Sequence, residues 1–296
     1  MKITITGSTG FVGANLHGYL KSFHELHSIS VRYQPNQNFD LTTDAIIHLA
    51  GKAHDLKKVS NPQDYYEANF ELTKQLLDSF LVSNVSSFIY MSSVKAVADE
   101  VQGELTEGYI PNPITHYGKS KLLAEQYILS KEIPEGKRVY ILRPCMIHGP
   151  GNKGNLNLLY KMVSKSIPWP LGAYENKRSF CSIDNLMFII KELIEREDIP
   201  SGIYNVADDE PLSTNEVIAI LAESQDRKPK IWRIAKGLVQ TVTKIGNVLK
   251  LPLNEERLQK LTDSYIVSNQ KIITAIGMRL PVSSKEGLLR TFKSFN

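Results

Sequence analysis

Tyr117 and Lys121 stand four residues apart, a spacing that on a helix places both side chains on one face. A lysine ammonium beside a phenol stabilises the phenolate and lowers its pKa toward neutrality, which suits the phenol to proton transfer. A chance pair on a solvated helix is the alternative. Two other features of the chain weigh against it. Ser92-Ser93 closes an apolar β-type run at 88–91, so a hydroxyl at a strand end can hold a substrate oxygen while the proton moves. The other feature is a glycine-rich turn near the N-terminus.

That turn is Gly7-Ser8-Thr9-Gly10-Phe11-Val12-Gly13. It follows a β-type run, Lys2–Thr6, and opens an amphipathic segment, Phe11–Leu20. Gly7 allows a sharp turn, Gly10 removes a side chain where a pyrophosphate approaches, and Gly13 lets helix and strand pack closely. The N–H groups of the helix's first turn and its dipole then hold the anion. The spacing is G-x-x-G-x-x-G rather than G-x-G-x-x-G. Its place between strand and helix favours nucleotide binding over a plain glycine turn.

The elements that carry these residues are legible along the chain. A strand at 28–33 would end near the adenosine ribose, where an acidic residue would bind a free 2′-hydroxyl. Here Arg32 stands instead, suited to a 2′-phosphate and hence to NADP, or else simply solvated. Too few residues separate it from the apolar strand at 45–49 for two crossovers, so this edge of the sheet is expected to be abbreviated. Asp40 and Leu41 could lie beside the adenine. The strand runs through Leu49 and Ala50 into Gly51, which permits close backbone approach to a cofactor, while His48 reads as a hydrogen-bonded core residue. A helix over 63–84 carries Asn69 on its apolar face, where the amide needs a partner or belongs to a site. Gly202–Val206 reads as a strand, and Ser213 with Glu216 as a capped helix start. The stretch 234–251, apolar with Lys236, Lys244 and Lys250, reads as a packed helix or lid in preference to a membrane-surface helix.

Composition narrows the class. With 296 residues, 42% hydrophobic and 22% charged, the chain suits one large or two modest soluble domains. No apolar run is long enough to span a membrane and no signal peptide is visible, so the expected location is the cytoplasm without membrane insertion. Cys145 and Cys181 are too few for a disulfide framework or a zinc site, and no metal is expected. The net charge of +4 suits an anionic small molecule and gives no argument for nucleic acid.

Taken together, GSTGFVG, HLAG, the Asn69 helix, SS, YGKSK, Leu142-Arg143-Pro144 and His148-Gly149-Pro150-Gly151 resemble the extended short-chain dehydrogenase/reductases, the nucleotide-sugar epimerase/dehydratase family. The resemblance implies an α/β fold: a Rossmann-type doubly wound parallel sheet with a smaller C-terminal substrate domain. Residues 1–150 would bind NAD(P), 151–296 would mostly bind a UDP-sugar, and 180–206 would return to the sheet. It puts the catalytic trio on Ser93, Tyr117 and Lys121, with Lys121 also holding the nicotinamide ribose and Pro144 lining the cofactor. Substrate contacts fall on Lys95, Lys153, Asn155, Arg178 and, in a weaker register, Arg257. Family dehydratases carry an acid/base pair directly after the strand-end hydroxyl, but Val94-Lys95 stands here, which disfavours dehydration. The segments SSVKAV, HGPGNKGN and WPLGAYENKRS also look similar to reductases of UDP-2-acetamido-2,6-dideoxy-4-ketohexoses in surface-polysaccharide pathways. With Arg32 and the abbreviated edge, a 4-keto-sugar reductase of that kind with exchangeable NADP(H) is expected, over a UDP-hexose 4-epimerase with bound NAD(H) or a non-catalytic NADP-binding sensor. Relatives often pair into homodimers through the helices bearing the Asn69 and Tyr117 positions, and the apolar content of those helices permits it.

Overall fold

The computed structural model describes residues 1–53, 61–152, 154–248 and 255–295. In chain order its strands are β1 (Lys2–Thr6), β2 (Glu25–Ile29), β3 (Ala45–His48), β4 (Ser87–Met91), the short β5 (Glu104–Leu105), β6 (Arg138–Pro144), β7 (Met146–His148), β8 (Phe180–Ser182), β9 (Gly202–Val206) and β10 (Ile266–Val267). Six of them form a sheet ordered β2-β1-β3-β4-β6-β9, with every pairing parallel. Strands covered on both faces read as unbroken apolar runs, and β4 (SFIYM) is buried at every position. The chain leaves β1 toward β2 and returns to β3 on the other side of β1. The crevice at the carboxyl ends of β1 and β3 is thus the switch point where such sheets bind ligands.

The helices are α1 (Phe11–Leu20), α2 (Pro62–Tyr66), α3 (Leu72–Val82), α4 (His116–Leu129), α5 (Asn155–Ser164), α6 (Ile183–Glu195), α7 (Thr214–Glu223), α8 (Lys236–Val248), α9 (Glu255–Thr262), α10 (Gln270–Ile276) and α11 (Ser284–Lys293). A π-helical turn, Glu67–Glu71, joins α2 to α3. Alternation along the strands feeds two layers. Ile3, Ile5, Ile47 and Ile89 pack with Leu16 and Leu20 of α1 and with Leu186 and Ile190 of α6. Ile46 and Phe88 face the other way, onto Leu76 and Phe80 of α3 and Ala124 and Ile128 of α4.

Residues 30–44, between β2 and β3, hold neither helix nor strand, so the edge is abbreviated as expected. The second strand itself lies earlier than 28–33. Its register with β1 ends at Thr6 opposite Ile29.

A second apolar core joins Leu156, Trp169, Leu171, Leu221, Leu288 and Phe292. Ser213 and Glu216 form a full capping box at the start of α7, and Val239 buries α8 against this core as a packed helix. Residues 249–254 lie outside the described residues. A buried polar knot ties the two lobes. His148 Nδ1 lies 2.8 Å from Thr291 Oγ1 of α11, and Nε2 faces the Asp208 carboxylate at 3.4 Å. Asp208 also accepts from the Ser182 N–H at 2.8 Å and from Asn185 Nδ2 at 2.6 Å. Cys145 and Cys181 are both buried and free.

Candidate active site

The glycine turn is shaped by backbone crowding. Gly7 has φ +70°, and a Cβ there would lie 2.7 Å from the Ala50 nitrogen, so both torsion and space call for glycine. A Cβ on Gly13 would come within 2.2 Å of the Gly7 carbonyl oxygen. At Gly10 a Cβ would touch only that oxygen, at 3.3 Å, so this glycine leaves clearance and is not needed for packing. Gly10 caps α1 with no side-chain hydrogen bond, and the first turn carries no acidic residue. Its N–H groups are therefore fit to take a diphosphate. Ser8 is half-buried and Thr9 exposed beside them. Gly13→Ala, ordinarily favourable inside a helix by about 1 kcal/mol, is expected here to destabilise the chain by roughly 1–3 kcal/mol. Urea unfolding checks it, and nucleotide titration should show weaker binding.

Arg32, expected to meet the adenosine ribose, is exposed, three residues past Ile29, so it sits in the segment after the strand and not within it. Asp40 is exposed, whereas Leu41 is buried against Ile46 and Leu72.

From the turn, contacts lead continuously to the proposed chemistry. The Ala50 N–H donates to Thr6 Oγ1 at 3.0 Å, fixing the end of β3 against β1. His48 is fully buried between Thr6 Oγ1 (2.7 Å) and Thr73 Oγ1 (3.0 Å). Burial pushes its pKa down to about 3, so it remains a neutral core residue, as its sequence context suggested. A Cβ on Gly51 would collide with Asn69 Oδ1 at 2.6 Å and approach Lys121 Nζ at 3.3 Å. Gly51 thus makes room for both. Asn69, held in the π turn, accepts from the Lys52 N–H at 2.8 Å and donates to Ser120 Oγ at 3.0 Å. The amide is a brace between the β3 loop and α4.

The helix α4 starts at His116 under a Thr115 cap and turns Tyr117, Lys121 and Glu125 toward the sheet. Gly118 lets it approach, since a Cβ there would meet the Lys95 carbonyl oxygen at 2.3 Å. The Tyr117 phenol is hydrogen-bonded to Ser93, the cap of the short 3₁₀ turn Val94–Ala96. Lys121 Nζ donates to the Met91 carbonyl at 2.8 Å and lies 4.8 Å from the Tyr90 ring centre. The structure therefore brings Ser93, Tyr117 and Lys121 together at the carboxyl end of β4. Pro144 is buried at the end of β6, the next strand over.

The electrostatics differ from the simple expectation. Burial raises the Tyr117 pKa, the Ser93 hydrogen bond opposes it, and the neighbouring Tyr65 adds to the rise. Tyr65 stands edge-on, with ring centres 6.4 Å apart. The phenol is not drawn down toward neutrality, because its removal from water outweighs stabilisation of its anion. Burial also lowers Lys121, to about 8, against the opposing pull of Glu125. Glu125 is a residue that sequence reasoning passed over, although its place four residues beyond Lys121 would have revealed it. It accepts from Arg143 Nε at 3.0 Å and from the Ser92 hydroxyl, all of them buried.

Of the residues expected to meet substrate, Lys95 has its Nζ donating to the Asp99 carbonyl at 2.8 Å and sitting 4.4 Å over the ring of Tyr265. Arg178 is bridged by backbone to Tyr265 and Leu212, and its Nε donates to the Asp263 carbonyl at 2.9 Å. Tyr265, also unforeseen, thereby gathers Lys95 and Arg178 beside the Ser93 turn. Asn155 begins α5 and Arg257 lies in α9, in elements built mainly on the second core. Their side chains, and Lys153, lie outside what is described.

A model of the NAD dependent epimerase/dehydratase family matches residues 3–207. A UDP-glucose 4-epimerase of Vibrio cholerae is 31% identical over 99% of this chain and 95% of its own length. A GDP-6-deoxy-D-mannose reductase of Pseudomonas aeruginosa is 28% identical over 75% of this chain and 79% of its own. Among solved structures, RMD from Pseudomonas aeruginosa complexed with NADPH superposes with a TM-score of 0.74 at 24% identity, covering 99% of this chain and 97% of that one. On the strength of the family match and of the full-length relative, the chain belongs to the NAD dependent epimerase/dehydratase family and is an enzyme of the extended short-chain dehydrogenase/reductase type.

Proposed function

We propose that this enzyme reduces the 4-keto group of a UDP-2-acetamido-2,6-dideoxyhexos-4-ulose, with NADP(H) as exchangeable cofactor and Tyr117 as proton donor. The observation that carries the reading is the Ser93–Tyr117 hydrogen bond next to Lys121, tied to the glycine turn through Ala50 and Gly51. A dinucleotide bound there supplies the hydride. Ser93 orients the substrate oxygen, and Tyr117 delivers its proton as negative charge develops there. Lys121 faces the phenolate left behind and holds the ribose end of the cofactor. A phenol whose pKa is raised stays protonated at neutral pH, which suits the reducing direction. Lys95 and Arg178 supply positive charge for the sugar diphosphate.

The cofactor preference rests on the end of β2. Its acidic residue, Glu25, lies at the amino end, and the carboxyl end is followed by Ser30 and the exposed Arg32. A guanidinium there recognises a 2′-phosphate and offers nothing comparable to a free hydroxyl.

The test is loss of reduced-nicotinamide fluorescence when purified enzyme and NADPH meet the 4-keto sugar nucleotide. Turnover is expected with NADPH, and Arg32→Ala should weaken NADPH roughly tenfold while sparing NADH. Interconversion of UDP-sugars with no added cofactor would make the enzyme a 4-epimerase with bound NAD. Cofactor binding without turnover across a broad substrate panel would make it a sensor.

A further inference from the structure

Between Arg227 and Lys236 the chain carries five basic residues, Arg227, Lys228, Lys230, Arg233 and Lys236, and no acidic one, although its total net charge is only +4. All five are exposed. Arg227 Nη1 donates to the Ser164 carbonyl at 2.7 Å, closing the end of α5. Lys228 and Lys230 have no ion-pair partner among the described residues.

The segment runs extended beside the loop 167–172. The Trp169 N–H donates to the Lys230 carbonyl and the Trp232 N–H to the Trp169 carbonyl, each at 2.8 Å. This pairing turns Ile231 inward, onto the second core. By strand alternation Lys230 and Trp232, two residues apart, project outward together. Trp232 is 59% exposed and Ile167 50%. Next to them opens a cleft of about 330 Å³, with Val163, Ile167 and Ile218 in its apolar wall and Arg227, Lys228 and Lys230 in its basic one.

A charge run alone would be a solvated face, and a lone exposed apolar residue needs no explanation. An exposed isoleucine in a cleft that Lys228 and Lys230 also line, with an exposed tryptophan two residues beyond Lys230, matches a different partner: a surface with phosphate outside and hydrocarbon beneath. We propose that this face seats the protein peripherally on an anionic phospholipid bilayer. Lys228 and Lys230 lie against headgroup phosphates, and Trp232 and Ile167 reach the headgroup–acyl boundary. No described helix is long and apolar enough to cross a membrane, so the association is superficial. It does not depend on which sugar is reduced.

The experiment is co-sedimentation of the full chain with vesicles of phosphatidylcholine alone or mixed with phosphatidylglycerol. Binding is expected only with the anionic lipid, and to weaken as salt rises. Lys228→Ala with Lys230→Ala should lower the affinity about 30-fold, and Trp232→Ala about tenfold. Trp169 is 4% exposed, so a blue shift of emission on adding vesicles would report Trp232. Thermal unfolding of each variant confirms that it is folded. Failure to bind the anionic vesicles, equal binding to neutral ones, or variants that bind like the parent would each overturn the proposal. So would sedimentation without lipid that the lysine variants abolish, since that assigns the face to a second copy of the chain.

Discussion

Tyr117→Phe is expected to lower turnover about 10³-fold while leaving nucleotide affinity within a few-fold of the parent. The substitution keeps the ring against Tyr65 and removes only the hydroxyl that meets Ser93. The cost to stability is therefore small, about 1 kcal/mol, as for one neutral hydrogen bond. The lost term is proton delivery. It appears in kcat because the interaction develops only as charge builds on the substrate oxygen. In the parent the raised pKa of the phenol keeps the donor in place through neutral pH, and the reducing rate should fall only on the alkaline side as that proton is lost. Steady-state kinetics with a parallel nucleotide titration separate the two effects. Full turnover in the variant would mean that the proton comes from elsewhere.

Glu125→Ala should cost about 3–5 kcal/mol of stability, the larger thermodynamic effect. Arg143 is 3% exposed and takes its charge partner from Glu125, so the truncation leaves a guanidinium buried and unpaired. The Ser92 hydroxyl loses its acceptor in the same step. A double variant, Glu125→Ala with Arg143→Met, should recover much of the loss, because two apolar groups need no counter-charge. Urea unfolding of the single and double variants gives the comparison. A loss below about 1 kcal/mol in the single variant would show that solvent already relieves the pair. Glu125 also raises the proton affinity of Lys121, so its removal takes the ammonium pKa further below about 8.

The parts of this arrangement that depend on chain-local rules were legible in the sequence. The strand–glycine turn–helix unit, the strand at Gly202–Val206 and the capping box at Ser213 depend on residue type at short spacing. So did the abbreviated edge, because a crossover has a minimum length. The second strand was placed about three residues late. Its run is polar and half-exposed, and only its register with β1 fixes where it stops. The Tyr117 pKa was misjudged because sequence spacing shows which groups share a helix face but not how much water they lose. Tyr265 could not be anticipated near Lys95, since 170 residues of chain separate them. Lys153 and the side chains of Asn155 and Arg257 lie outside the described residues.

The route of the chain between its two cores also bears on how the protein is assembled. The sheet acquires its last strand, Gly202–Val206, only after the chain has passed through α5, and α11 is locked to the sheet lobe by the Thr291–His148–Asp208 knot. Neither lobe can be cut out as one continuous fragment without leaving its interior open to solvent. During synthesis the parallel sheet is therefore completed only after α5 has emerged, and the polar knot only after α11 has, so each core closes around chain made at widely separated times.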